Sequence, residues 1–129
     1  MEIGESMVKL ATQPLIRTIT MNGFTILDDE ETPVLDDLQR RFIVISPEGE
    51  KHDVLIQIEM EVIDYVARMT GRPLSPDNSF WTAEARWLLS DFLWNQRGVP
   101  STRRLVLSSL DPDKLPLAAR WQTEGMKAI

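Results

Sequence analysis

The run FWTAEARWLLSDFLWNQRG, residues 80–98, restricts the possible folds of this chain more than any other stretch. It reads as a helix, yet its bulky residues do not fit on one face. With Trp81 set at zero and 100° per residue, Ala85, Leu88, Leu89, Phe92 and Leu93 fall in an arc of about 140°, the width of one face laid on a sheet. Phe80, Trp87 and Trp94 recur at intervals of seven and fall near 240°, forming a second stripe. Glu84 and Asp91 lie between the two stripes, and Arg86 and Ser90 form the polar edge.

Two indoles and a phenyl left in water are costly. Covering them is worth on the order of 10 kcal/mol at about 25 cal/mol/Å². Three coverings are open. The chain's own C-terminal segment, with Leu115, Leu117 and Trp121, can fold over the stripe. A second copy can meet it across a two-fold axis. A small molecule can occupy a groove along it. Tryptophan and arginine dominate interface hot spots, and Arg97 follows Trp94 at the end of this helix. Phe80, Trp87, Trp94 and Arg97 are therefore the candidate interface or pocket residues.

The remaining sequence supplies what this helix packs on. LIRTITM (15–21) and FTIL (24–27) flank Asn22-Gly23, whose positive φ angles suit a type I′ hairpin turn. RFIVIS (41–46) and KHDVLIQI (51–58) flank a four-residue connection, PEGE, and predict a second hairpin with Val54, Ile56 and Ile58 on one face. PVLDDLQRRF, after the acidic tract DDEETP, is expected to form a short helix from Pro33. From Glu59 the apolar period changes to that of a helix. Val62, Ile63, Val66 and Met69 share one stripe, Asp64 and Arg68 are spaced for an ion pair, and Gly71 is placed to end the helix. Ser79 or Asp77 is expected to cap the 80–96 helix. RRLVLSS (103–109) follows as a strand, then a helical turn or two broken at Pro116. The order predicts an α+β fold: an antiparallel sheet of two hairpins with two main helices on one face. A chain of 129 residues suits a single domain, with frayed ends expected at residues 1–6 and 123–129.

Composition narrows the chemistry. There are no cysteines and one histidine, which excludes disulfides, thiolate catalysis, cysteine-held zinc and any site needing two imidazoles from one chain. A net charge of −6 argues against nucleic acid as a partner. Residues 1–66 carry five basic and fourteen acidic side chains, whereas residues 67–129 carry nine and six. The two halves can attract each other within a chain or between copies. No window is long and apolar enough for a membrane helix, and the N-terminal stretch lacks the pattern of a secretory signal, so a soluble cytoplasmic protein without membrane contact is expected.

The polar motifs are weaker. Arg97, Arg103 and Arg104 are candidates for binding an anion, set against the simpler reading of solvated or internally paired arginines. Glu84 and Asp91 are seven apart, about 10.5 Å along the helix, too far for one shared metal, and are expected to meet arginines instead. The DDEE tract at 28–31 lacks the spaced ligands of a calcium loop. His52 and Asp53 are adjacent on a strand and point to opposite faces, so they do not form an acid/base pair, and His52 is expected to be exposed. Phosphate-binding glycine motifs and a serine-nucleophile motif are missing. No cofactor and no metal is expected. Taken together, these readings give a non-enzymatic protein that acts by association, as a homo-oligomer or with a protein partner. The alternative is a small-ligand or anion-binding domain, including a carboxylate acid/base enzyme, with its pocket along the second stripe.

Overall fold

The computed structural model describes residues 17–29 and 36–127. Its strands are β1 (Arg17–Ile19), β2 (Thr25–Asp28), β3 (Gln39–Ile45), β4 (Lys51–Ile58) and β5 (Arg104–Leu107). Its helices are α1 (Met60–Thr70), α2 (Ser79–Gln96) and α3 (Leu115–Lys127), the last preceded by a 3-10 turn at Pro112–Lys114. The strands form a single sheet in the order β1-β2-β3-β4-β5.

The α+β class holds, but the sheet is mixed. β1 to β4 run antiparallel, and β2 also pairs with β3, so the two hairpins merge into one meander. β5 lies parallel to β4. A parallel neighbour requires a long crossover, and α1 and α2 supply it between Ile58 and Arg104. A third helix, α3, joins the two expected, and it packs against α1. Pro116 sits in its first turn rather than breaking it, because an N-terminal proline gives up only an amide that has no helical partner. Of the ends expected to fray, residues 1–6, 128 and 129 lie outside the described residues, and α3 runs to Lys127.

Both hairpin turns differ from the expectation, the first being one residue longer and the second one residue shorter, so that the two come out alike. Thr20 N–H donates to the Phe24 carbonyl at 2.8 Å and Gly23 N–H to that of Thr20 at 3.0 Å. Ser46 repeats this with Glu50 at 2.8 Å and Gly49 at 2.9 Å. Each is a three-residue loop closed by a glycine at positive φ, 95° at Gly23 and 93° at Gly49. Asn22 does not take positive φ, so the turn is not type I′. In each loop the first hydroxyl, Thr20 Oγ1 or Ser46 Oγ, accepts from the amide four residues on at 3.0 Å. The helix expected from Pro33 is also overturned where residues are described. Asp36 to Leu38 form a turn, and from Gln39 the chain is strand, held by ladders on both sides that outweigh local helix preference.

Alternation then sets the core. Phe42 and Val44 of β3 and Val54, Ile56 and Ile58 of β4 are buried toward the helices, together with Ile26 and Leu107. α1 adds Val62, Ile63 and Val66, and α2 adds Phe80, Trp81, Ala85, Leu89 and Leu93. Met69 is not in that stripe, being 58% exposed. Gly71 ends α1 at φ 80°, as expected, whereas the cap of α2 is Asn78, whose Oδ1 accepts the Phe80 amide at 2.8 Å. On the opposite sheet face Leu27, Ile43, Ile45 and Leu55 are half-buried and lie outside the core cluster.

Candidate functional site

The second stripe of α2 is divided by its surroundings. Phe80 is fully buried, packed edge-on to Trp81 with ring centroids 5.0 Å apart. Trp87 and Trp94 are 56% and 50% exposed. The first turn of α2 is enclosed because the chain entering it wraps back: Leu74 joins the core, and Trp81 Nε1 donates to the Leu74 carbonyl at 3.4 Å. Later turns run out to the sheet margin. There Arg86 forms a two-pronged ion pair with Asp28 of β2, at 3.1 and 2.7 Å, and Asn22 Nδ2 donates to the Leu93 carbonyl at 3.1 Å.

Among the described residues of the C-terminal segment, Lys114 lies over Trp87, yet Trp87 and Trp94 both stay half exposed. Leu115 and Trp121 pack on the core instead, Ala118 is buried, and Gln122 donates to Thr70 Oγ1 at 3.0 Å and to the Arg72 carbonyl at 2.8 Å. These bonds tie α3 to the end of α1.

Beside the indoles lies the turn of the first hairpin. Ile19, Thr20, Met21, Trp87, Ser90, Asp91 and Trp94 line a groove of about 310 Å³. Ile19 is 61% and Met21 92% exposed, so four large apolar side chains border one depression. A second groove of about 490 Å³ adjoins it, lined by Asn22, Trp94, Asn95 and Arg97. Trp94 belongs to both. The sequence identified Trp87, Trp94 and Arg97 but missed Ile19 and Met21, which come from an element 60 or more residues away. The available signal was a methionine where a turn favours polar residues.

Glu84 does not line either groove. Its carboxylate is buried and takes the Lys114 ammonium at 2.8 and 3.1 Å, rather than an arginine as expected. The same ammonium lies 4.6 Å from the centroid of Trp87. Asp91 makes no ion pair among the described residues.

The three candidate anion-binding arginines are not gathered in one groove. Arg97 ends α2 in the left-handed region at φ 56° and lines the groove with Trp94. Arg103 takes φ 59° in the turn before β5, and Arg104 lies across from Leu55 on the sheet. His52 is half-buried rather than exposed, because its strand position faces the helix side opposite Val44; its Nε2 is 3.7 Å from Glu50 Oε1.

One partly buried polar cluster was not anticipated from the sequence. Arg40 Nε donates to Thr82 Oγ1 at 2.7 Å, and its terminal nitrogens donate to the carbonyls of Asp37 at 2.7 Å, Gln39 at 3.0 Å and Pro76 at 2.6 Å. Burial pulls its pKa below the usual arginine value, opposed by the nearby charges of Asp37 and Asp77. A charge at the strand position alternating with Phe42 and Val44 was the sequence signal. Arg40 is a structural clamp joining β3 to the loop before α2.

Among the described residues no group of three or more acidic, histidine or cysteine side chains is placed to hold a metal. No described helix is long and apolar enough to cross a membrane.

Comparison with known proteins adds no relative. The chain matches no family model, no curated protein and no solved structure.

Proposed function

We propose that this chain is an association domain, and that the groove between α2 and the first hairpin turn binds a second copy of the same chain. The observation that carries this reading is the exposure of Ile19, Met21, Trp87 and Trp94 around one groove. Isolated exposed apolar residues are ordinary, but two indoles, an isoleucine and a methionine side by side form a patch of the kind that marks interaction sites. Methionine adapts to a facing surface, and tryptophan is the residue most often found at hot spots.

A second copy fits the charges of the rim. Asp91 lines the groove, with Lys114 over Trp87 toward one end and Arg97 beside Trp94 toward the other. A rim bearing both signs can be complementary to itself under a two-fold rotation, as an isologous contact requires. A small ligand fits less well, because the groove is open and Glu84, the carboxylate that could orient one, is already held by Lys114.

Light scattering on the purified chain tests this reading, with a dimer expected at micromolar concentration. Trp87→Arg with Trp94→Glu gives a monomer of unchanged circular dichroism. A wild-type chain that stays monomeric at high micromolar concentration overturns the proposal.

A further inference from the structure

A separate crevice lies where β4 and β5 end, lined by α1 rather than α2, and we propose that it binds a short peptide with free termini. Its position follows from the parallel pairing of β4 with β5. β4 and β5 both end there, at Ile58 and Leu107, and the Glu59 amide donates to the Leu107 carbonyl at 3.1 Å. Crevices beyond the carboxyl ends of parallel strands are where open α/β sheets bind ligands. Here α1 forms one wall and the chain leaving β5 the other, bordering an open depression of about 400 Å³.

The lining is ordered along α1. Glu61, Tyr65 and Arg68 are spaced i, i+4 and i+7 and share one helix face. Ser108 and Ser109 oppose them, and buried Val62 and Leu110 supply apolar surface. The side chains of Glu61, Tyr65, Arg68, Ser108 and Ser109 make no hydrogen bond or ion pair with any described residue. The Asp64–Arg68 pair expected from spacing is not formed, which leaves the guanidinium to the crevice.

These features select a ligand class. An anionic end fits Arg68, whose planar fork accepts a carboxylate with two hydrogen bonds, and a cationic end fits Glu61. Seven helical residues span about 10.5 Å. A single amino acid carries both charges on one carbon and falls short of that gap, while each extended residue adds about 3.5 Å. Two or three residues reach from Glu61 to Arg68. The serine hydroxyls are then available to the peptide's amide groups, Tyr65 flanks it, and an apolar ligand side chain rests on Val62 and Leu110.

The test is an amide chemical-shift titration of the full chain with Gly-Leu-Gly, its N-acetyl form, its C-terminal amide, and free leucine. Saturable shifts are expected at residues 61–68 and 108–110 with Gly-Leu-Gly, and binding roughly tenfold weaker for each of the other three. Glu61→Gln should weaken Gly-Leu-Gly but not the N-acetyl form, and Arg68→Gln should weaken it but not the amide. Both positions are exposed, so the variants are expected to keep the wild-type spectrum elsewhere. The proposal is overturned if millimolar Gly-Leu-Gly gives no saturable shifts there, if the blocked peptides or leucine bind equally well, or if neither substitution changes binding.

Discussion

Lys114 Nζ lies 2.8 Å from Glu84 Oε1 and, with the same ammonium, 4.6 Å from the centre of the Trp87 ring. One cation thus neutralises a buried carboxylate and rests against an exposed indole of the proposed interface. Lys114→Met removes the partner of a carboxylate whose side chain is only 8% exposed, and is expected to cost about 2 to 4 kcal/mol. The double change Lys114→Met, Glu84→Leu recovers most of that loss. Urea unfolding of the wild type and the two variants checks this, and a loss from Lys114→Met within experimental error of zero counts against the pair.

Arg40 should matter more to stability than its place at a strand start suggests. Arg40→Met leaves the Asp37 and Pro76 carbonyls without this donor and is expected to cost about 1 to 3 kcal/mol. Arg40→Lys preserves the charge but not the fork, so it should recover less than half. Thermal unfolding distinguishes them; near-equal melting temperatures for lysine and arginine would mean that charge alone is needed.

The two hairpin glycines share a backbone conformation but not a neighbourhood. A Cβ at Gly23 would meet Pro47 Cγ at 3.3 Å, whereas one at Gly49 meets nothing within 4 Å. Each alanine carries the strain of positive φ, about 1 kcal/mol. Gly23→Ala should therefore be the more damaging, by several tenths of a kcal/mol. Equal losses in chemical denaturation would show that the proline yields freely.

Arg97 closes α2 in the left-handed region, where glycine is at ease and arginine is strained. Arg97→Gly is expected to raise stability by about 0.5 kcal/mol, after the extra entropy of glycine in the unfolded chain is deducted. A drop in melting temperature would indicate that the arginine side chain contributes contacts worth more than its strain.

Met21 isolates the association surface from the core. At 92% exposure it is expected to contribute little to folding, so Met21→Asp should leave the melting temperature of the monomer unchanged. It should weaken dimerisation by roughly tenfold, about 1.4 kcal/mol. Met69→Asp, at a 58% exposed site on α1 that does not line the groove, serves as the control and should leave dimerisation unchanged. Sedimentation at several concentrations reads both.

Periodicity alone determined much of this molecule. Alternation over residues 51–58 placed Val54, Ile56 and Ile58 in the core, and the helical period after Glu59 did the same for Val62, Ile63 and Val66, because side-chain direction within a regular element is a local property of the backbone. The heptad spacing likewise marked Trp87 and Trp94. What the sequence did not decide depends on which segments meet. Phe80 shares its stripe with both indoles, yet it is buried because the loop through Leu74 encloses one end of α2 and not the other. The RRLVL run is equally compatible with either strand direction, and only the α1–α2 crossover set it parallel to β4, creating the crevice beyond Ile58 and Leu107. Met21 joins Trp94, and Lys114 reaches Glu84 and Trp87, through contacts between residues 27 to 73 positions apart, and no short window of sequence encodes them. Tertiary packing decided these because burial and charge pairing act on whatever is near in space, whereas sequence pattern reports only what is near along the chain.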